Sequence, residues 1–251
     1  MTPRLHAPVE LAAGHEADLP PNATRHVQVL RLQPGAELTL FDGRGGEWRA
    51  EVLAIGRKDV RVRAIEAMPV ERELPMRVVL ALGMPANERM DTLVEKATEL
   101  GAAAIQPLVC ERSVLRVAGE RAEKKAAHWQ AIVIAACEQC GRNRVPPVHA
   151  PLPLREWMAS LEAGDAATQR LLLSLDDDAR PIAAARRGGT DALFLSGPEG
   201  GLSEGELALA RSRGFAPVSL GSRVLRADTA PLAALAVIAA LEAASSPGGA
   251  A

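Results

Sequence analysis

The chain has 251 residues, 48% hydrophobic and 24% charged, with a formal net charge of -2. It can bury one large core or two smaller ones, which excludes wholesale disorder, and it carries no global basic field, so a nucleic-acid partner would need a local patch. Three Phe, three Trp and no Tyr leave few platforms for stacking bases, and three cysteines make no disulfide framework, which suits a reducing, cytoplasmic setting.

From the N-terminus, "MTPRLHAPVELAAGHEADLP" holds no apolar core of signal-peptide length, and no run anywhere reaches the ~18 to 20 apolar residues of a membrane span. "PNATRHVQVLRLQPG" predicts a short helix capped at Asn22 and stopped near Pro34-Gly35. "AELTLF", "WRAEVLAI" and "VRVRAIE" then alternate with period two between the turns "DGRGGE" and "GRKD", which predicts consecutive antiparallel strands and a small β domain over residues 1–72. "MPVERELP", residues 68 to 75, has no period and two prolines, and reads as a linker.

Beyond it apolar runs alternate with helical patterns. "RVVLALGM" predicts a strand, and Met90, Leu93, Val94, Ala97 and Leu100 predict a helix stopped at Gly101. "AAAIQPLV" is the next strand, and Trp129, Ile132, Val133, Ala136 and Cys137 form one face of a helix over 121–140. "RLLLSL", "DALFLS" and "APVSLG" are further strands, before a last helix over 231–244 that is apolar nearly all round and so should be buried. The expected class is α/β, a parallel sheet covered on both faces over 73–245, with a disordered tail at 246–251.

Two connections in this second domain carry chemistry. In "LFLSGPEGGLSEGELALA" a strand ends in a glycine turn, and Ser203 with Glu206 has capping-box spacing, so a helix starts just after Gly200-Gly201. Ligands of open parallel sheets sit at the carboxyl ends of strands, where glycine lets main-chain donors come close. A tight connection needing positive φ explains the glycines equally well, and neither the Walker form nor G-x-G-x-x-G is present. In "VSLGSRVLRADTAPLAALAVIAAL" a strand opens into a loop holding Arg223, Arg226 and Asp228, with Pro231 in the first helical turn. Loops at neighbouring strand ends can enclose one pocket; taken singly, each reads as a salt-bridged turn.

"GPEGGLSEGE" followed by "LGSRVLRADTA", with "EKATELG", "ERSV", "ACEQCGRNRVP", "RHVQVLRLQPG" and "LFDGRGGEWRAEV", resembles the bacterial 16S ribosomal RNA (uracil(1498)-N(3))-methyltransferase family of the SPOUT class, over nearly the whole chain. The resemblance implies S-adenosylmethionine as methyl donor, a C-terminal trefoil knot whose loops bind it, an N-terminal PUA-like β-barrel that holds RNA, and a homodimer acting on the small ribosomal subunit. By motif match the cofactor residues are Leu173, Gly197, Pro198, Glu199, Gly200, Gly201, Leu220, Gly221, Val224 and Leu225. The family reads Leu-Arg-Thr-Glu-Thr where this chain has Leu225-Arg226-Ala227-Asp228-Thr229, so one hydroxyl is absent and the carboxylate is a methylene shorter.

Methylating uracil N3 requires removal of its proton and steadying of the resulting anion. A carboxylate can do the first and a guanidinium the second, which makes Arg226 and Asp228 the catalytic candidates, with Glu199 as a further possibility. A stacked, paired base hides N3, so the nucleotide must be unpaired or extruded. Between Cys110 and Arg144 seven Lys or Arg stand against four acids. Arg112, Arg142 and Arg144 there, with Arg25 and Arg31 in the first domain, are the RNA candidates, against the plain reading of a solvated surface. His26, on an arginine-bearing helix face, is as readily a surface histidine as a phosphate contact. Cys137-x-x-Cys140 lacks a second pair, so no metal is expected, and the acidic run at 176–178 reads as a turn. Alternatives are a related enzyme acting on ribose 2'-hydroxyl or transfer RNA, and a noncatalytic RNA-binding assembly factor.

Overall fold

The structure is a computed structural model that describes residues 2–86, 88–162, 168–185, 187 and 191–245. The tail expected to be disordered, 246–251, lies outside them. The chain falls into two compact units, Met1–Glu73 with Ile134–Val145, and Leu74–Val133 with Pro146–Ala251.

The first unit holds a five-stranded sheet in the order β1-β3-β4-β5-β2. The alternating segments form β3 (Glu37–Phe41), β4 (Glu47–Ile55) and β5 (Val60–Met68), paired antiparallel. Their inward positions Leu38, Leu40, Val52 and Val62 pack with Leu5 and Val27 in one core. Two three-residue strands, β1 (Arg4–His6) and β2 (Glu16–Asp18), join the edges; each is too short to show a period in sequence. Helix α1 (Pro21–Val29) does not use Asn22 as its cap. Pro20 is the cap residue and Pro21 the first helical one, where a missing N–H costs nothing, so Asn22 already lies inside the helix. The helix ends at Leu30, and Arg31 follows with φ +53°.

The second unit is built on a parallel sheet of seven strands in the order β10-β12-β9-β11-β6-β7-β8. These are β6 (Val78–Gly83), β7 (Ala104–Val109), β8 (Leu152–Pro153), β9 (Thr168–Leu173), β10 (Arg180–Pro181), β11 (Asp191–Ser196) and β12 (Ala216–Ser219). Helices α2 (Glu88–Glu99), α3 (Glu120–Cys140), α4 (Leu154–Ser160), α5 (Ile182–Ala185), α6 (Glu204–Ser212) and α7 (Thr229–Ser245) connect or follow them. β11 is wholly apolar after Asp191 as far as Ser196 and is buried throughout that stretch, the pattern of a strand covered on both faces. The glycine stops act as expected, with Gly101 at φ +96° after α2 and Gly141 at +89° after α3. The last helix is buried within the chain on one side only. Ala234, Leu235 and Ile238 are buried, and Ala236, Ala240, Ala243 and Ala244 are exposed in the single chain.

Candidate active site

Because the strands are parallel, β9, β11 and β12 present their carboxyl ends on one edge of the sheet. The glycine turn follows β11 and the arginine loop follows β12, yet these two strands are not neighbours: β9 lies between them. Its end supplies the third wall. Together they surround a cavity of about 520 Å³, lined by Leu173, Ser174 and Leu175, by Ser196 to Glu199 with Gly201 and Leu202, and by Val218, Leu220, Gly221, Arg223 and the run Val224 to Ala227. Leu207, Ala230 and Arg89 complete it.

The turn is fixed by short-range chemistry. Gly201, at φ +69°, donates its N–H to the Pro198 carbonyl at 2.8 Å, a conformation that costs a side chain strain but glycine none. The capping box is present: Ser203 Oγ accepts from Glu206 N at 3.2 Å and Glu206 Oε2 from Ser203 N at 2.9 Å. Glu206 is 1% exposed, and its Oε1 accepts from Glu111 N at 2.8 Å, which ties the segment after β7 to the start of α6. Glu111 in turn bonds Arg155 at 2.9 Å, and that guanidinium holds its carboxyl below the usual carboxylate range. Glu199 Oε1 accepts from Ala86 N at 3.0 Å and lies 4.0 Å from the Arg89 guanidinium.

Of the twelve residues expected here, ten line the cavity. Gly200 does not. A Cβ on it would stand 3.0 Å from the Arg112 Cβ and 3.2 Å from the Arg112 carbonyl oxygen, so its lack of a side chain clears room for the segment after β7. Arg112 also donates to the Gly200 carbonyl at 3.2 Å. Asp228 is not in the lining. It precedes α7, half-buried, and its Oδ1 is buried without a hydrogen-bond partner. Ser196, Arg89 and Gly83 are not singled out in the sequence, whereas Arg223 is. Ser196 is 5% exposed with an unpartnered hydroxyl, and Arg89 and Arg223 add two arginines to the lining. Gly83 closes β6, and a Cβ there would meet Pro198 N at 2.4 Å. A glycine ending an apolar strand was the one available signal for it.

The RNA candidates divide. Arg25, Arg31 and Arg112 are exposed. Gln28 Nε2 donates to the carbonyls of Gly56 and Arg57 at 3.1 and 3.3 Å, which brings the basic turn Arg57-Lys58 beside α1. Arg144 is exposed but bonded to Glu71 at 2.8 Å. Arg142 is a correction: it is 4% exposed and forked onto Glu73, so its guanidinium is committed inside the protein and presents no face to a phosphate. Similarly Asp176 and Asp178 grip Arg211 at 3.0 and 2.7 Å. Burial pushes the thiols of Cys110 and Cys137 up to about 12, and among the described residues no group of three His, Cys, Asp or Glu is placed to hold a metal ion.

Comparison with known proteins places this geometry. A family model described as an RNA methyltransferase domain matches residues 72–239, and one described as an RNA methyltransferase PUA domain matches 19–65. The chain is 38% identical over 216 residues to ribosomal RNA small subunit methyltransferase E of Synechocystis sp., covering 85% of this chain and 69% of that protein. It is 32% identical to the protein of the same name from Bacillus subtilis, over 84% of each. Among solved structures, the Neisseria gonorrhoeae ribosomal RNA small subunit methyltransferase E bound to S-adenosyl methionine superposes with a TM-score of 0.88 at 36% identity, covering 96% of this chain and 98% of that one. A Legionella pneumophila methyltransferase in complex with the same cofactor gives 0.89 at 36% identity, over 96% and 98%. With a parallel sheet whose glycine turn and arginine loop meet at one cavity, following a small β-rich unit, the chain belongs to the ribosomal RNA small subunit methyltransferase E family.

Proposed function

We propose that the protein transfers the methyl group of S-adenosylmethionine to N3 of a uracil in 16S ribosomal RNA of the small subunit, in the cytoplasm and as a homodimer. The observation that carries this is the cavity at the ends of β9, β11 and β12. Its walls suit a sulfonium nucleoside: Leu173, Leu202, Leu207, Val218, Leu220 and Leu225 offer apolar faces to a purine, and the turn 197–201 offers main-chain groups. The Ser196 hydroxyl is a buried polar group with no partner inside the protein, and such groups are ordinarily satisfied, so a polar ligand atom fits beside it.

When bound, the cofactor supplies an electrophilic methyl group on sulfur. The protein's own part is to hold the uracil edge toward it, take the N3 proton and exclude water. Asp228 follows the lining residue Ala227 without itself lining the cavity, and its Oδ1 has no donor within the protein; as proton acceptor its carboxylate would turn toward the uracil edge. Arg226 lines the cavity, and its guanidinium would steady the uracil carbonyl oxygens as N3 becomes anionic. Alignment of the reacting atoms in a water-poor site can contribute up to ~7 to 11 kcal/mol in favourable geometries, so catalysis need not rest on the acid–base pair alone. Arg112, beside the glycine turn, and Arg25, Arg31, Arg57 and Lys58 on the first unit would position the RNA by its phosphates. The exposed small residues of α7 support a face covered by a second copy.

The test is transfer of labelled methyl from S-adenosylmethionine to small subunits and to naked 16S RNA lacking the modification, followed by primer extension. A strong stop at one uridine in unmodified deoxynucleotide excess supports the reading, because an N3 methyl blocks pairing. A pause only at low nucleotide concentration would assign a ribose methyl, and no label in any RNA would leave a noncatalytic binder.

A further inference from the structure

At the opposite end of β9 lies a second cavity, of about 590 Å³, among the starts of β9 and β12, strand β10 and the end of α6. Arg170, Arg180, Arg187 and Arg213 line it, with Glu162 as the one carboxylate among the described lining residues. In a chain of net charge -2 this is a local concentration of positive charge.

The bonding of these arginines is distinctive. Arg170 donates to the main-chain carbonyls of Arg213 and Glu162 at 2.8 and 2.6 Å. Arg180 donates to the Ala184 carbonyl at 3.4 Å, and Arg213 to that of Leu161 at 3.5 Å. Among the described residues none of these three has a carboxylate partner. The nearby Arg211, two residues from Arg213, is by contrast held by Asp176 and Asp178. A guanidinium has five N–H donors and matches phosphate oxygens two at a time, so these three keep unused donors around one concavity. Capping of α6 explains the Arg170 bond to Arg213 but not the convergence of three cations from separate elements that have no carboxylate partner among the described residues.

We propose that this cleft is a second phosphate site, occupied by the backbone of the RNA substrate at a segment other than the one being methylated. The proposal rests on the reading of the chain as a ribosomal RNA methyltransferase. The cleft takes Thr168 to Leu171 of β9 and the reaction cavity begins at Leu173; the two ends of this six-residue strand stand roughly 17 Å apart at ~3.3 Å per residue, with Arg180 in register with Val218 of the reaction-cavity lining. A phosphate held there belongs to folded RNA reaching round the sheet, not to the reacting nucleotide. The cleft therefore contributes to RNA binding and leaves the methyl-transfer step alone.

The experiment measures RNA affinity against salt, together with methyl-transfer kinetics, for the full chain and for Arg180→Gln and Arg180→Gln/Arg213→Gln. Each lost contact should lower the slope of log affinity against log salt by ~0.7, so by ~0.7 and ~1.4 for the two variants. KM for 16S RNA should rise while kcat and S-adenosylmethionine affinity stay unchanged, and a short oligonucleotide around the target should show no difference between the proteins. Arg180 sits on an exposed edge and makes a single long hydrogen bond, so its variant tests the idea even if the double variant fails to fold. An unmoved slope in folded Arg180→Gln, with the unaltered chain active, overturns the cleft and spares the functional reading. No methyl transfer by the unaltered chain overturns both. Binding of inorganic pyrophosphate that the variants lose, with the RNA slope unmoved, reassigns the cleft to a small phosphate and also overturns the proposal.

Discussion

Replacing Ser196 by alanine should make the empty protein more stable while weakening its hold on the cofactor. The Ser196 hydroxyl is 5% exposed as a residue, lines the reaction cavity and has no hydrogen-bond partner. An unsatisfied buried polar group costs about 1–3 kcal/mol, part of which a water entering the open cavity recovers, so Ser196→Ala should gain up to ~1 kcal/mol. For a chain of this size that is a rise in Tm of ~2–4 °C. If the hydroxyl bonds the ligand, the variant loses a net ~0.5–1.5 kcal/mol of binding, or about two- to tenfold in Kd. Calorimetric titration with S-adenosylmethionine and a thermal melt with and without it measure both. The opposite signs are the point, since a merely structural serine would lower both quantities together. Unchanged affinity with unchanged stability would refute the reasoning, as would a fall in both.

Other outcomes follow from the same geometry. Gly83→Ala should cost more than tenfold in cofactor affinity, because its Cβ would stand 2.4 Å from Pro198 N and must displace the turn; Gly201→Ala, with open space but φ +69°, should mainly cost ~1 kcal/mol of stability in a denaturant titration. Arg142→Ala should destabilise by ~3–5 kcal/mol, since it strands the Glu73 carboxylate, whereas Arg144→Ala, which breaks an exposed pair with Glu71, should cost under ~1 kcal/mol. The Glu47 carboxyl feels burial, which raises it, but the bonds from Arg72 and Arg4 outweigh that and hold it below its ordinary 4.5. Its stabilisation is therefore complete above that value and lost as pH falls through the lower folded one, and Glu47→Gln should flatten this acid limb in melts between neutral pH and pH 3. At pH 8 a thiol reagent should modify half-buried Cys140 well before Cys110 and Cys137, whose thiols burial raises to about 12; peptide mapping by mass spectrometry reads the order.

What the sequence disclosed and what it withheld differ by range. The Ser203–Glu206 capping box, β11 and the stop at Gly141 are decided within a few residues, by side chain to main chain bonds, by an unbroken apolar run and by a positive φ that glycine tolerates, and each is legible in order along the chain. The candidate cavity is only half legible for the same reason. Its two loops carry their own glycine and arginine signals, but the strand that separates them enters from residues 168–173, and strand order is settled by crossovers that leave no local mark. Gly83 and Gly200 show the difference most clearly. Both are cleared for backbone arriving from more than 80 positions away, Pro198 in one case and Arg112 in the other, so a glycine in the candidate motif can serve packing while one outside it shapes the turn 197–201. Arg142 and Arg144 make the same point with charge. Two residues apart in a basic stretch, they are indistinguishable by composition, yet one is buried on Glu73 and the other exposed on Glu71, because burial depends on which acid the fold delivers. Charge counted along a chain therefore gives a ceiling on the RNA-binding surface, and only the folded partners show which cations remain to meet a phosphate. By that criterion Arg170, Arg180 and Arg213 around the second cavity, which no count singled out, outrank Arg142, which the count favoured.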